Sequence, residues 1–343
     1  MNLARIIEAF FVSGFISYLL TPFVKRLAIR LDYLDHPKDH KVHAHSMPLL
    51  GGISIFAAFV ITVITKDQLI SYPHIKAMLI GATILLVIGL VDDKMGMMPN
   101  IKLLGQFLAA MVLIKAGLRI EFIKHYYLSV IVTYIWIIGI TNSFNLLDNM
   151  NGLSAGIAGI AASFFGVISY LNGQPIVSVI SFAVAGSAFG FLRHNFPKAS
   201  LFMGDSGSLV LGYLLATLAI LGNWKTYILT TSLMIPILIL GYPIFDTALV
   251  SIVRILERRS IFQGGKDHSS HRLALLGFKR YRAVLIIYVI CIFLGATAVA
   301  VTKVHWTIGI VLGIVASVVM LALGIRLALV DTTRFGRKKG INA

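Results

Sequence analysis

The chain has 343 residues, of which 58% are hydrophobic and only 13% charged, with a mean hydropathy of +0.89. No soluble globular domain of this length has that profile, so the sequence is read as an all-α polytopic integral membrane protein. The formal charge of +16 is assigned to basic residues held at the cytoplasmic membrane face, where they attract anionic lipids or substrates, and not to nucleic-acid binding.

A helix needs about 20 apolar residues to cross the hydrocarbon core. Eleven segments are predicted as spans: 4–24, 49–65, 77–91, 101–118, 127–141, 154–171, 175–192, 205–222, 225–242, 283–302 and 305–329. Peptide groups in lipid must satisfy one another, which makes these helices and not open strands. The first segment follows a single basic residue and lacks a small-x-small cleavage pattern, so it is expected to be retained as a span. The Gly-rich spans suit close helix packing. The single cysteine, Cys291, lies in the tenth span, which excludes a disulfide within the chain and a Cys-based zinc site.

Placing the loop after the first span in the cytoplasm, and alternating from there, puts 22 of the 30 Lys and Arg on the cytoplasmic side. The positive-inside rule then predicts an outside N-terminus and a cytoplasmic C-terminus. No internal repeat or second domain is visible. One transmembrane domain is expected over 1–343, with cytoplasmic loops 25–48, 92–101, 142–153, 193–204 and 243–282 forming the active site. The stretch from Arg254 to Arg282 is too short for a separate fold but has room for a short amphipathic helix.

The few acids are placed informatively. Asp92-Asp93 end an apolar helix, where carboxylates oppose the macrodipole and are expensive near membrane depth. Adjacent carboxylates point in different directions, so one can meet a cation and the other a hydrogen-bond donor. Asn142, Asn145 and Asp148 recur every three residues, along one stripe of a helix, and offer hard oxygen ligands suited to Mg²⁺. Gly204-Asp205-Ser206-Gly207 opens a span, where the carboxylate reads equally as a helix cap or a metal ligand. His268-Ser269-Ser270-His271-Arg272 lies in the longest basic loop. With no third soft ligand nearby it reads as a phosphate or sugar contact and not as a zinc site. Lys41, Lys102 and Arg272 supply cations on the same side, as a diphosphate requires. All these clusters fall at cytoplasmic ends, although the charge count did not use them.

Five fragments in this order resemble the polyprenyl-phosphate N-acetylhexosamine-1-phosphate transferase family over nearly the whole chain. They are Asp35-His-Pro37 through Lys41-Val-His43 to Pro48-Leu-Leu-Gly51-Gly52; Gly89-Leu-Val-Asp92-Asp93; Asn142-Ser-Phe-Asn145-Leu-Leu-Asp148; Phe202-Met-Gly204-Asp205-Ser-Gly207-Ser208; and His268-Ser-Ser-His271-Arg-Leu273. The resemblance implies attack of a polyprenyl phosphate on the β-phosphorus of a UDP-sugar. The products would be a polyprenyl diphospho-sugar and UMP, in the first membrane step of cell-envelope polysaccharide synthesis. It implies a Mg²⁺ cofactor, with Mn²⁺ as a substitute, and leaves a homodimer open.

By motif position, Asn145 and Asp205 resemble the metal ligands. Asp92 and Asp93, with Asp148, resemble the catalytic acids. Lys102 matches a phosphate-contacting lysine, and His268, His271 and Arg272 match a sugar-nucleotide loop. Asp35, Lys41 and Asn142 complete the expected substrate-binding set.

The chain departs from the family pattern in three places. His268-Ser-Ser-His271 is not three consecutive histidines, which argues against the UDP-MurNAc-pentapeptide branch and leaves the sugar open. UDP-GlcNAc is chosen because the loop resembles the GlcNAc-1-phosphate branch of the family, with UDP-MurNAc-pentapeptide or another UDP-N-acetylhexosamine as the alternative. Asn149 stands where Gly is usual, and His40 where Arg is common. A cation-coupled transporter would show repeated halves and acids at the membrane midplane, and neither is visible. An intramembrane aspartyl protease would carry Gly-x-Gly-Asp, but Phe202 occupies the first Gly position.

Overall fold

Apolar runs this long bury their peptide groups by coiling, and the described residues form fourteen helices and one two-residue β-pair. The structure is a computed structural model that describes residues 3–35, 46–224, 226, 229–260 and 265–331. Two compact units result, Met1–Lys225 and Thr226–Ala343.

The first unit contains α1 (Leu3–Arg30), β1 (Leu34–Asp35), β2 (Met47–Pro48), α2 (Gly51–Ile64), α3 (Asp67–Ile70), α4 (Pro73–Met95), α5 (Pro99–Lys115), α6 (Tyr126–Leu147), α7 (Leu153–Leu171), α8 (Pro175–Asn195) and α9 (Gly204–Leu221). The central helix is α9, which packs against α2, α4, α6 and α7. It is buried around most of its circumference from Gly204 to Ala219, as a helix apolar on every side must be. Around it α1 lies on α8 and α2, α7 on α8, and α4 on α5. The outer face of α1 exposes Phe11 (65%), Phe15 and Phe23, a surface suited to hydrocarbon.

Two devices fix the mouth of this unit. Gly89 of α4 meets the backbone of α9 so closely that an added Cβ would overlap Ser206. The chain entering α2 also runs beside the chain entering α9. Phe202 N–H donates to Pro48 O (2.8 Å), Gly51 N–H to Phe202 O (3.0 Å) and Gly52 N–H to Met203 O (2.9 Å). These bonds hold Leu50 in a left-handed conformation (φ 84°), which a branched side chain adopts only when its surroundings over-determine it.

The second unit contains α10 (Leu229–Ile239), α11 (Gly241–Leu256), α12 (Ser269–Leu275), α13 (Arg280–Val301) and α14 (Trp306–Ala328). Here α13 packs against α10, α11, α12 and α14. Helices α10 and α11 meet at a 75° bend. Pro236, which lacks a backbone donor, lies one turn before that bend.

Each of the eleven segments read as a span contains a helix among the described residues, but the lengths of these helices divide them. Among the described residues eight helices are long and apolar enough to cross a membrane: α1, α4, α6, α7, α8, α9, α13 and α14; the bent α10–α11 pair makes a ninth if it is counted as one span. Helices α2 and α5 have 14 and 17 residues, so at 1.5 Å per residue they reach only about 21 and 26 Å of a ~30 Å core. The loop boundaries also shift. Asp92 and Asp93 belong to the last turn of α4, and Asn142 and Asn145 to α6. The 243–282 stretch holds most of α11 and all of α12. Hydropathy falls where polar side chains begin, whereas the i to i−4 hydrogen bonds of a helix continue beyond that point.

Candidate active site

Four helix ends meet in the first unit: the C-termini of α4 and α6 and the N-termini of α5 and α9. A three-residue connection joins α4 to α5, and Gly96 takes φ 70° at the turn. That turn brings Lys102, in the first turn of α5, beside Asp92 in the last turn of α4. The Lys102 Nζ pairs with Asp92 Oδ2 and lies 2.5 Å from Asp205 Oδ2. Asp92 is held by a second bond, from Met97 N–H to its Oδ1 (2.6 Å).

The two adjacent acids diverge. Asp93 accepts from Asp205 N–H (2.7 Å) and Ser206 N–H (3.2 Å), so its carboxylate caps the N-terminus of α9. A carboxylate there satisfies two orphan donors and matches the positive end of the helix dipole. Gly204 has φ 75°, and a Cβ at this residue would lie 2.5 Å from Asp93 Oδ2. Glycine thus supplies both the backbone conformation and the room for the capping carboxylate.

The stripe on α6 faces the same mouth. Asn142 and Gln106 of α5 exchange two amide bonds: Gln106 Nε2 donates to Asn142 Oδ1 (3.1 Å) and Asn142 Nδ2 to Gln106 Oε1 (2.7 Å). Asn145 Nδ2 donates to Ser208 Oγ of α9 (3.0 Å), which leaves its Oδ1 as the atom available to a ligand. Asp148 caps the C-terminus of α6. Burial, together with the charges of Asp205 and Asp93, pushes its carboxyl up to about 8.

The remaining expected site residues fall elsewhere. Asp35 lies in β1, paired with Met47. Lys41, with the rest of the 36–45 segment, lies outside the described residues.

In the second unit, His268 is the N-cap residue of α12, and His271 and Arg272 lie within that helix. Arg272, expected as a substrate contact, is 1% exposed and turned inward. Its Nε donates to Asp267 O (2.7 Å), and its Nη1 to Leu327 O (3.0 Å), Ala328 O (3.1 Å) and Val330 O (3.0 Å). These carbonyls end α14, so Arg272 acts as a C-terminal cap in this structure. Burial, with His268, Arg280 and Lys266 nearby, pushes the His271 imidazole down to about 4.

Five polar residues went unassigned at the sequence level. Gln106 and Ser208 orient the two asparagines and carried no signal beyond their neighbours. Arg254 of α11 and Asp267 form a buried ion pair (2.7 Å), and Asp246 of α11 is fully buried against His268 and Ser269. Two charged residues of the apolar α11, Asp246 and Arg254, are themselves a signal, because such residues are expensive in a membrane protein and turn inward.

Among the described residues no group of three or more His, Cys, Asp or Glu forms a ready-made metal cage. Mg²⁺ does not need one, because it commonly takes one or two carboxylates, water and substrate phosphates. Asp205 Oδ2 and Asn145 Oδ1 are donors of the right hardness, and Lys102 already holds positive charge between Asp92 and Asp205. The residues therefore fit a hard divalent cation.

Comparison with known proteins gives a consistent result. Residues 75–223, which carry Asp92, Asp93, Lys102, the α6 stripe and Asp205, match the family described as glycosyl transferase family 4. The chain is 37% identical to a probable undecaprenyl-phosphate N-acetylglucosaminyl 1-phosphate transferase of Bacillus subtilis, across 87% of this chain and 85% of that protein. A decaprenyl-phosphate N-acetylglucosaminephosphotransferase of Mycobacterium tuberculosis is 30% identical, with 80% and 77% covered. A phospho-N-acetylmuramoyl-pentapeptide-transferase of Bacillus velezensis is also 30% identical, with 82% and 92% covered. The chain thus belongs to glycosyl transferase family 4, the polyprenyl-phosphate N-acetylhexosamine-1-phosphate transferases.

Proposed function

We propose that this protein transfers N-acetylglucosamine 1-phosphate from UDP-GlcNAc to undecaprenyl phosphate, giving undecaprenyl-diphospho-GlcNAc and UMP. The observation that carries the reading is the meeting of Asp92, Lys102, Asp205 and Asn145 at four helix ends. These are residue types suited to neutralising and orienting phosphates. The multi-pass architecture fits a lipid acceptor. The excess of Lys and Arg in alternate loops supports a plasma-membrane protein with an outside N-terminus and a cytoplasmic site, in an eleven-span topology that requires the shorter α2 and α5 to cross a locally thinned bilayer. The sequence His268-Ser-Ser-His271 and the 37% relative support UDP-GlcNAc over UDP-MurNAc-pentapeptide.

Mg²⁺, or Mn²⁺ in its place, would be held by Asp205 and Asn145 and would supply charge neutralisation at the donor diphosphate. In the reaction, an oxygen of the lipid phosphate bonds to the β-phosphorus. The bond from that phosphorus to the bridging oxygen breaks, and the electron pair leaves with UMP. The lipid phosphate, with a second pKa near ~6, is largely dianionic at neutral pH, so no general base is required. Lys102 offsets charge on the incoming phosphate. Asp92 holds Lys102, and Asp93 holds the N-terminus of α9 so that Asp205 keeps its place. A direct attack is favoured over an aspartyl-phosphate route, because a carboxylate nucleophile beside a dianion is repelled.

The test is UMP release by purified protein with undecaprenyl phosphate, Mg²⁺ and a panel of UDP-sugars, with Asp205→Ala and a chelator as controls. Lipid-dependent UMP from UDP-GlcNAc, lost in both controls, is expected. Activity with UDP-MurNAc-pentapeptide alone would overturn the donor, and no lipid-dependent UMP from a folded preparation would overturn the transferase.

A further inference from the structure

The polar cluster of the second unit is built around a residue with no assigned role. Asp246 lies on α11 and is 0% exposed. Its Oδ1 accepts from Ser269 N–H (2.8 Å) and from Ser269 Oγ–H, and its Oδ2 lies 2.7 Å from His268 Nδ1. Tyr242, one turn earlier on α11, shares a 2.6 Å hydrogen bond with Ser269 Oγ. A buried carboxylate is costly unless donors saturate it, and here three donors do so. All three come from the start of α12, whose own N-cap side chain makes no capping bond. Asp246 therefore replaces the missing cap from a neighbouring helix.

The same carboxylate sets the imidazole. An anionic oxygen only accepts, so Nδ1 of His268 carries a proton toward it. The ring is 4% exposed, and its Nε2 makes no hydrogen bond among the described residues. Nor is Nε2 among the sealed, unpaired polar atoms of the structure. With Nδ1 bonded to Asp246, Nε2 is the ring nitrogen left for a ligand.

We propose that Asp246 is a positioning residue for the sugar nucleotide: it fixes the ring, the Nδ1-protonated form and the α12 N-terminus, so that His268 Nε2 accepts a hydrogen bond from a hydroxyl group of the donor. This rests on the transferase reading above. Asp246 touches no substrate and acts through His268. Replacement by Asn keeps an acceptor for Ser269, but it allows an amide N–H to face Nδ1 and push the ring proton onto Nε2.

The experiment is a double-mutant cycle of Asp246→Asn and His268→Gln, read as KM for UDP-GlcNAc, KM for undecaprenyl phosphate, kcat, and UMP affinity by calorimetry. Asp246→Asn is expected to lower kcat/KM for UDP-GlcNAc by about 10–100-fold, the scale set by a misplaced contact. The KM for the lipid should stay unchanged. The double variant should be no worse than His268→Gln alone. Additive losses, an equal loss for both substrates, or wild-type kinetics would overturn the role while leaving the transferase reading intact. A wild-type protein that neither binds UMP nor releases it would overturn the reading itself. A second measurement needs no Asp246 variant: the ¹⁵N spectrum of histidine-labelled protein, with His268 assigned by difference from His268→Gln. An Nδ1-protonated ring is expected, and a neutral ring protonated at Nε2 would overturn the proposal.

Discussion

Lys102 joins the last turn of α4 to the first turn of α9 through two carboxylates, and it is only partly exposed. In the proposed reaction it also offsets charge on the lipid phosphate. Lys102→Met is expected to lower kcat/KM by about 10²–10³-fold, the scale for removing one preorganised electrostatic contact. Lys102→Arg should recover part of the loss, since it restores charge with different geometry. Steady-state UMP release measures both, and a Lys102→Met variant within about threefold of wild type would remove Lys102 from the mechanism. The identities of Asp92, Asp93, Asn145, Lys102 and Asp205 as site candidates were legible in the sequence, because acids and amides are conspicuous at the ends of apolar helices. Their division of labour was not. Whether Asp92 or Asp93 meets the lysine depends on which way each side chain leaves α4, and on a capping vacancy that exists only once α9 is docked.

The proposed site is built from helix ends, and the protein's helices are held by ion pairs as well as packing. The C-terminal part of α11 is tied to the approach to α12 by Arg254 Nε and Nη2, which donate to Asp267 Oδ2 (2.8 Å) and Oδ1 (2.7 Å). Burial raises the Asp267 pKa, but the hydrogen bonds and charge of Arg254 outweigh it and hold the carboxyl at about 2, below its usual 3.8. A depressed carboxylate stabilises the fold fully above its unfolded pKa, and that contribution is lost as pH falls through the folded value. Thermal stability is therefore expected to fall as pH drops from about 4 to about 2. Asp267→Asn should be less stable at neutral pH and flatter over that window. An unaltered acid profile in Asp267→Asn would show that the pair does not control it. Arg272 illustrates the limit of reading an element from sequence. As a basic residue beside two histidines it looks like a phosphate contact, yet its guanidinium closes the end of α14. Nothing local to residues 268–273 reveals that three carbonyls from 55 or more positions away will be waiting.

At the scale of the whole molecule, the proposed topology makes a labelling prediction. Cys291 is buried, so the native background for a thiol reagent is low. With an impermeant maleimide on intact cells, Asn223→Cys is expected to react from outside, and Lys198→Cys only after the membrane is opened. Reaction of Lys198→Cys from outside would invert the orientation.

Composition and periodicity by themselves determined that this chain is helical and membrane-embedded, and the order of its polar clusters pointed to its family. These properties follow from each segment's own need to satisfy its peptide groups and keep acids out of lipid. Only the tertiary structure decided that α2 and α5 are short, that α10 and α11 bend, that Asp93 caps α9, and that Asp246 and Arg272 serve α12 and α14. Each of these outcomes depends on a partner distant in sequence, whose unpaired donor or acceptor exists only after the helices have packed.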